Sequence, residues 1–244
     1  MKMTFVCKKQ LLLSMLVFGQ ASLLQSREIE VGSVSVYHAR PYLPANPVVL
    51  EAGAHAGGDT ILMSRNFPSG KVYAFEPVPF LYEQLTKAVS AISNVSTYPF
   101  ALAGQAGTAE MFISGGAGTA SSSLLNPVGH LELHPQITFN ERVAVPTVTI
   151  DQWAAQNGVT HIDLLWLDLQ GAEFEVLKAS PEILKTVRVI ITEISFMQMY
   201  QGTPLYPEFK KWLEEQGFVV IREDRQYQDM GDALLIRKDL LAKE

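Results

Sequence analysis

The chain has 244 residues, 48% of them hydrophobic and 18% charged, with a formal net charge of −6. That balance fits one α/β domain with a sizeable core, and the lack of any basic cluster or basic–aromatic interleaving argues against nucleic acid as a partner. Cys7 is the single cysteine, so there is no internal disulfide framework and no cysteine-ligated zinc site.

Residues 1–26 differ from the rest. Lys2, Lys8 and Lys9 precede the apolar run Leu11-Leu12-Leu13-Ser14-Met15-Leu16-Val17-Phe18, and Gly19-Gln20-Ala21 supplies small residues after it. This is the layout of a secretory signal, too short to span a bilayer comfortably. It predicts export or membrane association, with membrane contact only through this leader. The other reading is a poorly ordered leader or an upstream start codon, which leaves the protein cytoplasmic. Residues 27–47 carry Pro41, Pro44 and Pro47 and read as an approach segment; the alternation Val34-Ser35-Val36-Tyr37 predicts a short strand there.

The informative stretch begins at Val48-Val49-Leu50-Glu51. A short apolar strand is followed by Ala52-Gly53-Ala54-His55-Ala56-Gly57-Gly58, then by a helical pattern through Ile61, Leu62 and Met63. Strand, glycine turn, helix opens a nucleotide-binding α/β unit. Glycine permits close approach of a ligand, and the helix start offers free N–H groups. A dinucleotide fingerprint needs glycine where His55 stands, and Glu51 would repel a diphosphate. A carboxylate there suits a ligand with a positive amino group, such as S-adenosylmethionine.

The second strand, Lys71-Val72-Tyr73-Ala74-Phe75-Glu76, stops at Pro77. Glu76 lies about 20 residues beyond the glycine turn, where a doubly wound sheet puts a carboxylate at the neighbouring strand end to accept ribose hydroxyls. A solvated strand-end acid is the plainer alternative. A helix over 80–91 follows, with Leu81, Leu85 and Val89 on one face. A third strand over 95–103 places Phe100, Ala101 and Leu102 against the adenine.

Residues 104–146 break the α/β rhythm. Two strand-like runs, at 108–113 and 142–150, flank the small-residue stretch 114–123, which reads either as a substrate lid or as a surface hairpin without a role. His130 and His134 share a helical spacing, but Pro135 follows and no third ligand is evident, so no metal site is expected. Asp151 reads as the N-cap of a helix ending at Gly158.

A fourth strand over 162–169 ends in Asp168. Apolar burial beside other acids would raise its pKa, which suits it to position the ligand's amino group or to take a proton from a substrate hydroxyl. A helix over 172–178 follows. The fifth strand leads through Thr192-Glu193 and gives a further strand-end acid. After a helix over 207–216, runs at 218–222 and 232–237 form a terminal hairpin, which is how a methyltransferase sheet closes; a dehydrogenase sheet usually continues parallel.

Six blocks in order carry a resemblance: Val49-Leu50-Glu51-Ala52-Gly53-Ala54-His55-Ala56-Gly57, Ala74-Phe75-Glu76-Pro77, Gly107-Thr108-Ala109-Glu110, Ser121-Ser122-Ser123-Leu124, Val145-Pro146-Thr147-Val148-Thr149-Ile150-Asp151 and Asp163-Leu164-Leu165-Trp166-Leu167-Asp168-Leu169-Gln170-Gly171-Ala172-Glu173. Together they resemble the FkbM family of S-adenosylmethionine-dependent methyltransferases, from about residue 47 to residue 237. The resemblance implies a Rossmann-like α/β fold: a seven-stranded, mostly parallel sheet with a C-terminal antiparallel hairpin and helices on both faces. It implies methyl transfer, usually to a hydroxyl oxygen, with Glu51, Gly53, Gly57 and Glu76 lining the cofactor site and Asp168 beside it; Ala54, His55, Pro77 and Ala101 are the further candidate cofactor-binding residues. The family more often has Asp at Glu51, Asn at His55 and Val-Glu at Leu169-Gln170, so a role needing a carboxylate at position 170 does not carry over.

The expected domain is 48–237, with the insertion 104–146 and a tail at 238–244. The expected activity is S-adenosylmethionine-dependent methyl transfer to a small-molecule, sugar or lipid hydroxyl, with Asp168 or Glu193 holding or deprotonating it. A non-catalytic binding domain and a nicotinamide-dependent oxidoreductase are the competing readings.

Overall fold

The computed structural model describes residues 29–225 and 228–243. The leader and Cys7 lie outside these residues. The described chain opens with a two-residue strand β1 (Glu30–Val31) and a one-turn helix α1 (Val36–Ala39). The strand expected at 34–37 is therefore a helix. Val36 and Ala39, three residues apart, are both fully buried on one helical face, and Pro41 follows at once in the next turn.

The nucleotide-binding half then follows: β2 (Val48–Ala52), α2 (Gly58–Asn66), β3 (Lys71–Phe75), α3 (Pro79–Val89) and β4 (Val95–Tyr98). The strand expected over 95–103 is two strands. Pro99 lacks the N–H that a continuing ladder needs, and the chain leaves the main sheet there. It resumes as β5 (Ala101–Leu102) beside β6 (Gly107–Gly116) and, after helix α4 (Val128–Leu133), β7 (Ile137–Val148). These form a separate three-stranded sheet in the order β5-β7-β6.

The second half contains α5 (Ile150–Asn157), β8 (Leu164–Leu167), α6 (Glu173–Lys178), α7 (Pro181–Leu184), β9 (Val189–Ser195), α8 (Tyr206–Glu215), β10 (Phe218–Glu223) and β11 (Met230–Arg237). Thr149, not Asp151, caps α5: its hydroxyl accepts the Gln152 N–H at 3.1 Å. The Asp151 carboxylate instead accepts the Glu182 and Ile183 N–H groups at 2.9 and 2.7 Å, in the first turn of α7.

The main sheet has the order β1-β10-β11-β9-β8-β2-β3-β4. The seven expected strands are present, and β1 adds a short parallel edge against β10. β4, β3, β2, β8 and β9 run parallel; β11 inserts antiparallel between β9 and β10. Alternation along each strand fills two layers. Leu50, Phe75, Leu165 and Ile190 face the layer that holds Trp153 and Phe209, whereas Val49, Val72, Leu164 and Val189 face Met63 and Phe67 of the α2 layer. Chain order reverses between β2 and β8, so a crevice opens past their carboxyl ends. No helix among the described residues is long and apolar enough to cross a membrane.

Candidate active site

β2 delivers the chain into a turn that glycine makes possible. Gly53 has φ +86°, and a Cβ there would lie 2.0 Å from the Asp168 carbonyl oxygen. The close approach that demands glycine is thus made by the protein's own backbone past β8, and not by a ligand. The Gly53 and Ala54 N–H groups both donate to the Phe75 carbonyl, at 3.0 and 2.9 Å, which welds the turn to the end of β3. His55 and Gln170 are non-glycine residues in the left-handed region, with φ +49° and +52°. Both border the crevice, where backbone strain is commonly kept for function.

Glu76 is buried at the end of β3. One carboxylate oxygen accepts the His55 N–H at 2.8 Å and the other accepts the Val78 N–H at 2.8 Å. Burial pushes its pKa up to about 7, the two N–H donors pull against that, and the Asp168 charge adds to the rise. Each oxygen keeps a lone pair for a ligand hydroxyl.

Glu51 does not reach the crevice. It is 1% exposed and accepts the Thr60 hydroxyl of α2 at 2.6 Å. Burial, reinforced by Asp59, Asp168 and Glu76, lifts its pKa to about 8 against the Thr60 bond. Ala54 and Gly57 also lie behind the crevice wall; Gly57, at φ +89°, caps α2 and packs on Leu85.

Asp168 faces the crevice. One of its oxygens accepts the Gln170 side-chain N–H at 2.8 Å. Surrounding protein raises its pKa, the Gln170 bond opposes this, and Asp59 adds to the rise. The carboxylate keeps surface open to the crevice, so water offsets part of that push until a ligand displaces it. Glu193 lies inside β9, opposite Asp232 of β11, two residues short of the strand end. It lines a smaller hollow with Gly171, Glu173 and Thr203 and meets the crevice only through the Gln170 amide, at 3.1 and 3.2 Å. Its pKa stands well above normal through burial and the charges of Asp168, Glu173 and Asp232. Buried Glu173 accepts the Leu169 N–H at 2.7 Å and is raised to about 7, chiefly by burial.

The crevice, with its open mouth included, spans about 630 Å³. Gly53, His55, Glu76, Pro77, Ala101 and Asp168, all singled out from the sequence, line it. Phe75, Phe100 and Leu102 add an apolar wall. Thr119, Ala120, Ser122 and Leu124 bring the small-residue loop over the opening. Side chains hold that loop to the crevice walls. Thr119 Oγ1 bonds His55 Nε2 at 2.9 Å, Ser123 Oγ donates to the Gln170 carbonyl at 2.8 Å, and the Tyr200 hydroxyl lies 3.0 Å from the Ser121 carbonyl. Gln170 and Tyr200 are the site residues that sequence reasoning missed. Gln170 sits inside a recognised block but draws notice only as a lost charge, and nothing near Tyr200 in the chain signals that it folds back onto the block.

His130 and His134 do meet, with ring centroids 5.0 Å apart, but His134 bonds Asp229 at 2.9 Å. Among the described residues no group of three such side chains is placed to hold a metal.

Among the described residues, no Lys, Arg or His forms an ion pair with Glu51, Glu76, Asp168, Glu173 or Glu193. Acids left without cations beside an apolar wall form a surface that favours a ligand with positive charge, ribose-like hydroxyls and a flat apolar part. S-adenosylmethionine has all three, so the residues present fit it.

Comparison with known proteins agrees. The model of the methyltransferase FkbM domain matches residues 51–220. The 2-O-methyltransferase NoeI of Sinorhizobium fredii (strain NBRC 101917 / NGR234) is 29% identical over 162 residues, covering 64% of this chain and 67% of NoeI. Methyltransferase sdnD of Sordaria araneosa is 28% identical over 211 residues, covering 76% of this chain and 78% of sdnD. Among solved structures, the fibrillarin pre-rRNA processing protein of Methanococcus jannaschii superposes with a TM-score of 0.50 at 17% identity, covering 81% of this chain and 69% of that chain. This last likeness is one of fold.

Proposed function

The chain belongs to the FkbM methyltransferase family and is an S-adenosylmethionine-dependent enzyme; from that premise we propose that it methylates a hydroxyl oxygen of a small polar acceptor, with Asp168 handling the hydroxyl proton. The carrying observation is the Asp168 carboxylate: it faces the crevice, has no cationic partner, and is held through one oxygen by a neutral amide. The word 2-O-methyltransferase in the name of NoeI supports an oxygen acceptor. Sugar and lipid hydroxyls both fall within this class.

Bound S-adenosylmethionine supplies an electrophilic methyl carbon on a sulfonium centre. Glu76 would hold the ribose hydroxyls on its free lone pairs, the Gly53–His55 turn would seat the amino acid end, and Phe75, Phe100 and Ala101 would take the adenine. Asp168 would orient the acceptor hydroxyl and take its proton as the methyl group passes from sulfur to oxygen, the carbon–sulfur bond breaking to leave neutral S-adenosylhomocysteine. Alignment and exclusion of water supply most of the remaining help, and the tied-down loop 117–124 closes the opening. Glu193 acts from behind Gln170 and does not touch the acceptor.

The test is calorimetric titration of S-adenosylhomocysteine into the full chain, followed by screening of hydroxyl acceptors for methylated product. Saturable binding that Glu76→Ala weakens at least tenfold, with methylation at oxygen, supports the reading. Binding without any oxygen-methylated product, or a folded protein that does not bind, overturns it.

A further inference from the structure

We propose that Gln170 is a positioning residue whose side-chain amide ties Asp168, on the crevice, to Glu193, behind it, and so keeps Asp168 negatively charged beside a bound cation. This rests on the methyl-transfer reading above.

The amide orientation is dictated by its partners. Its oxygen accepts the Tyr200 hydroxyl at 2.6 Å, and its nitrogen faces Asp168 at 2.8 Å and both oxygens of Glu193 at 3.1 and 3.2 Å. The two acids decide this: a flipped amide would set its oxygen against both carboxylates. The two N–H bonds are each used, one per acid. The backbone is pinned as well: the left-handed conformation of Gln170 is held by the Ser123 hydroxyl on its carbonyl.

The titratable groups that act on this pair from neighbouring elements are acids and a phenol: Glu51 on β2, Asp59 on α2, Glu76 after β3, Glu173 on α6, Asp232 on β11 and Tyr200; His55, the histidine on the same crevice, is bonded to Thr119 and burial lowers its pKa, which keeps it neutral. None brings positive charge. The Gln170 N–H groups therefore hold negative charge at this spot. Without them, Asp168 and Glu193 would relieve their repulsion by keeping a proton between them. A carboxylate at position 170 would add a third acid to the same contact. The neutral amide lets Asp168 stay ionised at lower pH than either alternative.

The experiment compares S-adenosylhomocysteine affinity of the wild-type full chain with Gln170→Glu and Gln170→Met between about pH 6.5 and pH 9. Glu keeps the shape and adds charge; Met keeps the length and removes the donor. A cationic amino group is drawn into the crevice by ionised acid, so the ratio of variant to wild-type affinity reads that ionisation. Both variants should bind roughly tenfold more weakly at the lower pH, the loss expected when the Asp168 charge is gone, and return to wild-type affinity or above at the higher pH. A loss equal at both pH values, or none, means that Gln170 acts by packing alone and overturns the proposal. If Gln170→Met fails to fold, Gln170→Glu decides by itself. Wild-type protein that binds no S-adenosylhomocysteine at any pH overturns the methyl-transfer reading, and the proposal with it.

Discussion

Gly53 and Asp168 meet backbone to backbone: a single Cβ on Gly53 would stand 2.0 Å from the Asp168 carbonyl oxygen. The turn after β2 and the acid after β8 are thus one construction. The Asp168 N–H donating to the Ala52 carbonyl at 3.0 Å closes it.

Gly53→Ala should therefore damage fold and site together. A side chain at φ +86° is strained, and the atom it meets is backbone that cannot step aside. Urea unfolding should show a loss of about 2 kcal/mol or more, with S-adenosylhomocysteine binding abolished. A variant of normal stability would refute the close approach.

Asp168→Asn tests the proton role. The amide can still hold a hydroxyl but cannot remove its proton. With an identified acceptor, turnover should fall by roughly a hundredfold or more, while S-adenosylhomocysteine affinity should fall by about tenfold at most. Equal losses in both would assign Asp168 to ligand binding alone.

Stability should fall as pH rises from weakly acidic to weakly alkaline. Glu51 is pushed up to about 8, and Glu76 and Glu173 to about 7, from an ordinary value of 4.5. An acid raised on folding keeps its proton while the unfolded chain has already lost it. Between these two values, each increase in pH favours the unfolded chain. The thermal midpoint near pH 8 should lie roughly 5 °C or more below that near pH 5.5. Glu51→Gln should raise the midpoint near pH 8 by clearly more than near pH 5.5. A Glu51→Gln effect that is the same at both would count against the buried-acid account.

Ser123→Ala should loosen the loop over the crevice. The Ser123 hydroxyl donates to the Gln170 carbonyl and accepts the Leu125 N–H at 3.0 Å. Its loss leaves two backbone groups unpaired, at a cost of about 1–3 kcal/mol locally. Amide exchange across residues 121–125 should quicken by at least tenfold while β2, β8 and β9 stay protected. Exchange unchanged in the loop would show that its remaining bonds, among them the Phe112–Ser123 backbone pair at 2.8 and 3.0 Å, suffice.

The strands and turns that build the crevice were legible because they depend on local pattern. The run Val48-Val49-Leu50, the small residues through Gly58, and the apolar stretch ending at Asp168 each announce their element. The terminal hairpin was equally clear. Pro99 was a visible break whose consequence, a change of sheet, was not. Asp151 was misassigned because Thr149, two residues earlier, is an equally good cap, and the N–H groups that donate to Asp151 lie on a helix about 30 residues further on. Glu51 could have been placed better: it shares a strand face with Val49, and that face meets α2, where Thr60 receives it.

Sequence alone determined the α/β class, the glycine turn, the order of the acids and the family, because these follow from hydrophobic period, backbone freedom and short ordered motifs. Tertiary structure alone decided which acids face the crevice. Glu76 and Asp168 do, whereas Glu51 turns into the α2 layer and Glu193 stands behind an amide. It also brought Tyr200 and Ser123 onto Gln170. The physical reason is that a carboxylate's role depends on where its few ångströms of reach end, and that is set by strands and loops packed together from distant parts of the chain.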